Sequence, residues 1–176
     1  MSETDAPLSR AKAKALRLLA SRPRTSSQIR DRLERDGMAE SASDVIAWLT
    51  KLGYLDDDAF ARARARYLLG PGRLGPRLAE RRLTAAGVAV PMARHAIEAA
   101  LEDASDGLGE RGGGERRSGS RAELALCAEA LRRRLRGAAV ESLDEKGKQR
   151  LARFLLGRGF SSGAVARVLG FVPDLG

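Results

Sequence analysis

Gly37, Gly87 and Gly159 hold the chain in one recurring frame. Eight positions before them stand Ile29, Ala79 and Leu151, four before them Leu33, Leu83 and Leu155, and about ten after them Ile46, Ile97 and Leu169. Apolar residues four apart share one face of an α-helix, and a glycine just past the last of them supplies the left-handed backbone that ends it. Each unit therefore reads as helix, helix, glycine turn, helix, with a gap of one or two residues in its second half. Three in series make an all-α chain, an elongated array of three tandem three-helix repeats. A unit of about 45 residues has a small core, so neighbours are expected to lean on each other. Chance similarity among Ala/Leu/Arg-rich helices is the competing explanation.

Composition agrees with thin cores: of 176 residues 43% are apolar and 31% charged, but only 4% are aromatic. No segment alternates like a strand, and nine helices are expected. Residues 1–9 read as a disordered tail. The first repeat spans 10–54: a basic helix from Ala11 to Ser21 stopped before Pro23, a capping box at Thr25–Gln28, and a third helix opened by Ser41–Asp44 with Val45, Ile46, Leu49 and Leu52 inward. Trp48 reads as a packing residue at a unit edge. The second repeat spans 55–104, with helices from about Asp57 to Leu69, over Arg77–Ala86 behind Pro76, and from Pro91 onward. Residues 105–119, rich in Gly and Ser, have no apolar period and read as a flexible linker. The third repeat spans 120–172, with capping boxes at Ser120–Glu123 and Ser142–Glu145, and Ser161 or Ser162 capping the last helix.

Between the first two repeats lies Gly53-Tyr-Leu-Asp-Asp-Asp-Ala-Phe-Ala61. Gly53 ends one helix. Asp56, Asp57 and Asp58 sit where the free N–H groups and positive dipole end of the next favour negative charge. Phe60, Ala63 and Tyr67 then set a face at helical spacing expected to be buried. Charge reverses here: Glu40 to Asp58 holds five acidic residues and one lysine, whereas Arg62 to Arg82 holds seven arginines and one glutamate. One capping aspartate suffices for a joint. The other two point to recognition, although capping and solubility account for them as well.

This pattern resembles the RecX family, bacterial regulators of the RecA recombinase. The Gly53–Ala61 run is similar to the family's Gly-Tyr-Leu-Asp-Asp core followed by Phe-Ala. Ala15-Leu-Arg-Leu-Leu-Ala-Ser-Arg22 with Ile29 to Gly37 resembles its opening unit, and Phe154-Leu-Leu-Gly-Arg-Gly-Phe160 its Arg-Gly-Phe motif. The likeness covers about residues 11–170. The linker is longer and looser than the family's, and Gly157 stands at a position often basic. The resemblance implies an elongated molecule lying in the groove of a RecA filament on DNA. There it inhibits ATPase and strand exchange by blocking growth or promoting disassembly.

The residues themselves point to binding rather than catalysis. The formal net charge is +9, which suits an anionic partner, although a coding bias towards Arg, Ala and Gly contributes. His95 is the sole histidine and reads as structural or exposed. Cys127, the sole cysteine, falls on an apolar stripe. No phosphate loop, metal motif or catalytic set is present in the sequence, so no enzyme and no cofactor is expected. No membrane span and no secretory h-region occur, so a cytoplasmic monomer is expected. The candidate contacts to RecA or DNA are Tyr54, Asp56, Asp57 and Asp58 at the joint. With them go Arg62 and Arg66, Arg77 and Arg81, each pair four apart, and Arg132, Arg133, Arg150, Arg153 and Arg158 in the third repeat. Single- and double-stranded DNA are expected to bind weakly. Base stacking has little support, since Trp48, Tyr54 and Tyr67 are the only large rings with a polar edge. Two other classes compete: an autonomous DNA-binding protein of helical modules, and a purely structural scaffold.

Overall fold

The computed structural model describes residues 5–106, 115–137 and 139–172. Among them are nine α-helices and one 3-10 turn (Val140–Ser142), and no strand. The first trio is α1 (Asp5–Ser21), α2 (Ser26–Arg35) and α3 (Ala39–Lys51). The second is α4 (Asp57–Leu68), α5 (Pro76–Ala85) and α6 (Val90–Asp106), and the third α7 (Glu115–Leu135), α8 (Glu145–Gly157) and α9 (Ser162–Leu169).

The glycine frame is the frame of the fold. Within each trio the outer helices pack together, α1 on α3, α4 on α6 and α7 on α9. Each trio has its own core, centred on Ile29, Leu33, Val45 and Leu49, on Ala61, Ala65, Ala79 and Leu83, and on Leu151, Leu155, Phe160 and Val165. Gly37, Gly87 and Gly159 all take positive φ (76°, 85° and 89°). In each case the next amide closes back on the helix: Met38 N–H to Leu33 O at 2.8 Å, Val88 N–H to Leu83 O at 3.1 Å, Phe160 N–H to Leu155 O at 3.3 Å. That closure satisfies carbonyls a helix end leaves unpaired and turns the chain into the third helix of the unit.

The units join end to end through their middle helices, and the second and third also pack α6 on α7, with Ala122 of α7 entering the second core. Gly75 N–H donates to Arg158 O at 2.8 Å and Arg77 N–H to Gly159 O at 3.1 Å, so the start of α5 sits on the end of α8. The end of α5 meets the start of α2 in the same sense. Thr25, fully buried, donates its hydroxyl to Ala86 O at 2.7 Å and accepts from Gln28 N–H at 3.2 Å. The macrodipoles of α8, α5 and α2 thus run head to tail, each positive end on a negative one. Close approach demands glycine: a Cβ on Gly159 would overlap the Leu78 backbone, and one on Gly75 the Gly159–Phe160 peptide.

Several local expectations give way. Residues 5–9, expected in the tail, are helical in α1; residues 1–4 lie outside the described residues. Of the expected linker 105–119, residues 107–114 lie outside the described residues, while α6 reaches Asp106 and α7 begins at Glu115. Ser120 is therefore inside a helix rather than at its cap. α3 starts at Ala39, before Ser41, and α8 is capped by Asp144, which accepts from Gly147 N–H at 2.8 Å, not by Ser142. Leu52 and Tyr67, expected inward, are 50% and 55% exposed.

Two outcomes follow. Gly37→Ala places a side chain in open space and costs only its left-handed backbone, about 1–2 kcal/mol. Gly159→Ala adds overpacking in the α8–α5 joint, a further 1–3 kcal/mol or so, and urea denaturation of both variants should separate them. Equal losses would mean that the joint carries no stability. Burial pushes the Cys127 thiol up to about 12, helped by the Glu123 charge. The stability this represents is present below the ordinary thiol pKa and is lost as pH rises from about 9 towards 12. At pH 8 a disulfide reagent should leave Cys127 unmodified until the protein is denatured; rapid labelling of the native chain would contradict this burial.

Candidate partner-binding surfaces

The Gly53–Ala61 joint is built from both sides. Gly53, at φ 72°, ends α3, with Tyr54 N–H on Leu49 O at 3.0 Å, and Leu55 is buried in the first core. Each aspartate then has its own internal partner. Asp56 caps α4, its Oδ1 accepting from Ala59 N–H at 2.9 Å. Asp57 reaches into the first unit, where its Oδ1 accepts from Ser26 N–H at 2.8 Å and its Oδ2 accepts from the Ser26 hydroxyl. Asp58 pairs with Arg62 at 2.9 Å. Tyr54 stands 62% exposed beside them.

The predicted arginines separate into tied and free. Arg66 pairs with Asp103 of α6 at 3.0 Å. Arg132 and Arg133 both hold Glu129, at 2.8 and 2.6 Å, and Arg133 first, then Arg132, keeps that carboxyl below its usual range. Arg158 turns back across the seam and donates to Gly72 O and Arg73 O, both at 2.6 Å. Arg77 and Arg81 have no carboxylate partner among the described residues. They line a cleft of about 610 Å³ together with Val90, Leu156 and Phe160 and with Glu80, which is paired to Arg94 at 2.9 Å. Arg150 and Arg153 are exposed on α8 and likewise unpaired with acid; Arg150 donates to its own helix, Lys146 O, at 3.3 Å.

A second group adds residues to the candidate Arg158 that the sequence reading did not place at a site: Arg64, Arg73, Arg134 and the rings of Tyr67 and Phe154. Arg73 lies 4.0 Å and Arg64 5.2 Å from the centre of the Tyr67 ring, and Arg158 4.8 Å and Arg134 5.4 Å from that of Phe154. A cleft of about 540 Å³ between the first two units, lined by Arg22, Arg64, Tyr67 and Arg82, opens beside the first ring. The spacing was visible in the sequence, Arg64 three before Tyr67 and Phe154 four before Arg158. The expectation that Tyr67 was core concealed it. Among the described residues no group of three or more His, Cys, Asp or Glu is placed to hold a metal ion.

Residues 11–49 match the first three-helix domain of RecX, and residues 122–169 the third. Regulatory protein RecX of Streptomyces lividans is 31% identical over 165 residues, 93% of this chain and 77% of the relative. That of Syntrophotalea carbinolica is 29% identical over 160 residues, 89% of this chain and 92% of the relative. The likeness to RecX of Lactobacillus delbrueckii subsp. bulgaricus is 38% over 102 residues, 55% of this chain but only 36% of that longer protein. The crystal structure of RecX from Lactobacillus salivarius superposes with a TM-score of 0.67 at 19% identity, over 93% of this chain and 95% of that one, which bears on the fold.

The aspartates predict a graded response. Asp57→Asn weakens the bonds to Ser26 in a partly buried seam and should cost about 1.5–3 kcal/mol in urea denaturation. Asp58→Asn breaks an exposed helix pair worth about 0.3–0.5 kcal/mol. Equal effects would remove Asp57 from the seam.

Proposed function

The chain belongs to the RecX family of regulatory proteins, and from that premise we propose that it regulates the RecA recombinase, mainly by inhibition. It binds the RecA–DNA filament and blocks its growth, its ATPase and strand exchange, with weak contacts of its own to single- and double-stranded DNA. The family is a regulatory one and not a family of enzymes, and the proposal gives the chain no catalytic step. It acts as a cytoplasmic monomer of three repeats, 10–54, 55–104 and 120–172. Among the described residues no helix is long and apolar enough to cross a membrane.

One observation carries this reading: arginines without acidic partners, Arg77 and Arg81 on α5 and Arg150 and Arg153 on α8, are spread over units bonded end to end. A chain of that kind reaches adjacent protomers of a filament, and weak contacts on it add through effective concentration. Tyr54, Asp56 and Asp58 offer an acidic patch to basic filament surface, while Asp57 acts through the seam it holds. Arg62, Arg66, Arg132, Arg133 and Arg158 contribute positive potential around their internal bonds.

The test is ATP hydrolysis by RecA of the same organism on single-stranded DNA, titrated with this protein. Inhibition well below one copy per RecA protomer supports control at filament ends; inhibition near one to one supports occupancy along the groove. Arg77→Glu with Arg81→Glu should weaken inhibition about tenfold or more while leaving helical content unchanged, since both side chains are exposed. Full inhibition by that variant removes the α5 arginines from the contact. No inhibition by the unmodified protein, with DNA still bound, favours the autonomous DNA-binding reading.

A further inference from the structure

Tyr67 and Phe154 stand out because each ring carries two guanidinium groups and none of the four arginines has a carboxylate partner among the described residues. The two stacks are continuous. Arg73, over Tyr67, belongs to the loop that ends at Gly75, and its carbonyl takes the Arg158 guanidinium that also lies over Phe154. Arg133 covers the same loop, its side chain filling the space a Cβ on Gly72 would need. At the other end the stack opens into the cleft where Arg22 and Arg82 face Tyr67. A band of alternating arginine and ring thus crosses both seams and touches all three units.

We propose that this band is a seat for single-stranded nucleic acid. An arginine laid flat on a ring keeps its N–H edge for phosphate oxygens and offers its outer face to a base. Alternation of cation and π-face along a groove is what an unpaired strand requires, phosphates to the charges and bases to the faces. A duplex keeps its bases stacked inside and would use only the charges. Tyr67 is 55% exposed although its helix buries Ala61, Ala65 and Leu68, so the ring is spent on the surface and not on the core. The acidic residues near the third-unit end are already used: Glu129 is held by Arg132 and Arg133, leaving Arg134 to the ring. None of the band's residues lines the Arg77/Arg81 cleft; the seat rests on the single-stranded DNA contact proposed above, and because it is measured without RecA its failure is distinguishable from a failure of RecA regulation.

The experiment uses the full chain and a fluorescein-labelled oligothymidylate of roughly fifteen nucleotides, read by anisotropy, beside an abasic strand of equal length. The unmodified protein should bind oligothymidylate about fivefold or more tightly than the abasic strand, which has the same charge and no bases. Tyr67→Leu, at an exposed position that leaves the cores intact, should erase most of that preference while affinity for the abasic strand stays the same. Adding Phe154→Leu should remove the remainder. Equal binding of the two strands by the unmodified protein would overturn the proposal, and that comparison needs no variant to fold. An undiminished preference in Tyr67→Leu would overturn it too. If the band serves acidic protein surface instead, the abasic strand and oligothymidylate will bind alike.

Discussion

The backbone bonds between α8 and α5 set how the second and third units meet, beside the apolar packing of α6 on α7. The first N–H groups of a helix have no partner within it. At most of the helix starts with a defined cap a side chain supplies one, as Thr25, Asp56, Asp144 and Ser161 do. At α5 the cap is Gly75, buried and without a side chain, so its donors have to be met by something else. The carbonyls of Arg158 and Gly159 meet them. The two units therefore complete each other's helix ends, and separating them would strand amides that neither can satisfy alone. The outer ends differ. Gly37 faces open space, and Asp144 caps α8 from its own chain. Two seams and two self-satisfied ends define an array of three.

Thin cores explain why polar bonds accompany apolar packing at the seams, where α6 also meets α7 through Ala100, Leu101 and Ala122. The second core is built largely of alanine, from Ala61 to Ala100, which lets α4 and α6 approach closely but buries little surface per residue. What apolar packing does not supply, directed bonds do: Thr25 to Ala86, Asp57 to Ser26, Gly75 to Arg158. Such bonds fix angle as well as distance. Both clefts lie at seams, Arg77 and Arg81 opposite Phe160 of the third unit, Tyr67 and Arg82 opposite Arg22 of the first. Neither cleft exists on an isolated unit, so whatever binds there reads the docked arrangement.

What the sequence disclosed was local. Gly37, Gly87 and Gly159 announced themselves because a left-handed turn and its two preceding apolar positions fit within nine residues. Thr25 with Gln28 was legible for the same reason. Ser41, Ser120 and Ser142 carried the same Ser-x-x-acid signature and were wrong: α3 and α7 start before the serines, and Asp144 caps α8. The aspartate run was recognisable as a cluster, but its job was not: Ser26, the partner of Asp57, lies 31 residues away. The arginine–aromatic band was harder still. Its members come from α4, the loop before α5, α7 and α8, and only the joint aligns them. Helical period placed Tyr67 one turn after Ala63, yet both face outward, because in α4 the buried stripe is Ala61, Ala65 and Leu68.

That shift of stripe has a consequence for function. α4 packs on α6 through Ala61, Ala65 and Leu68, with Phe60 of its first turn against the same core, and Tyr67 falls outside that stripe. Tyr67 stands on the flank, where the Arg64 and Arg73 guanidinium groups are its neighbours. α5, bonded at both ends, divides its own cations in the same way: Arg77 and Arg81 share one flank, and Arg82, about 100° further round the helix from Arg81, turns to the other. A helix held at its start by α8 and at its end by α2 cannot roll to present one flank at the expense of the other. Two partners approaching from the two sides would therefore meet surfaces whose mutual orientation the backbone has already set.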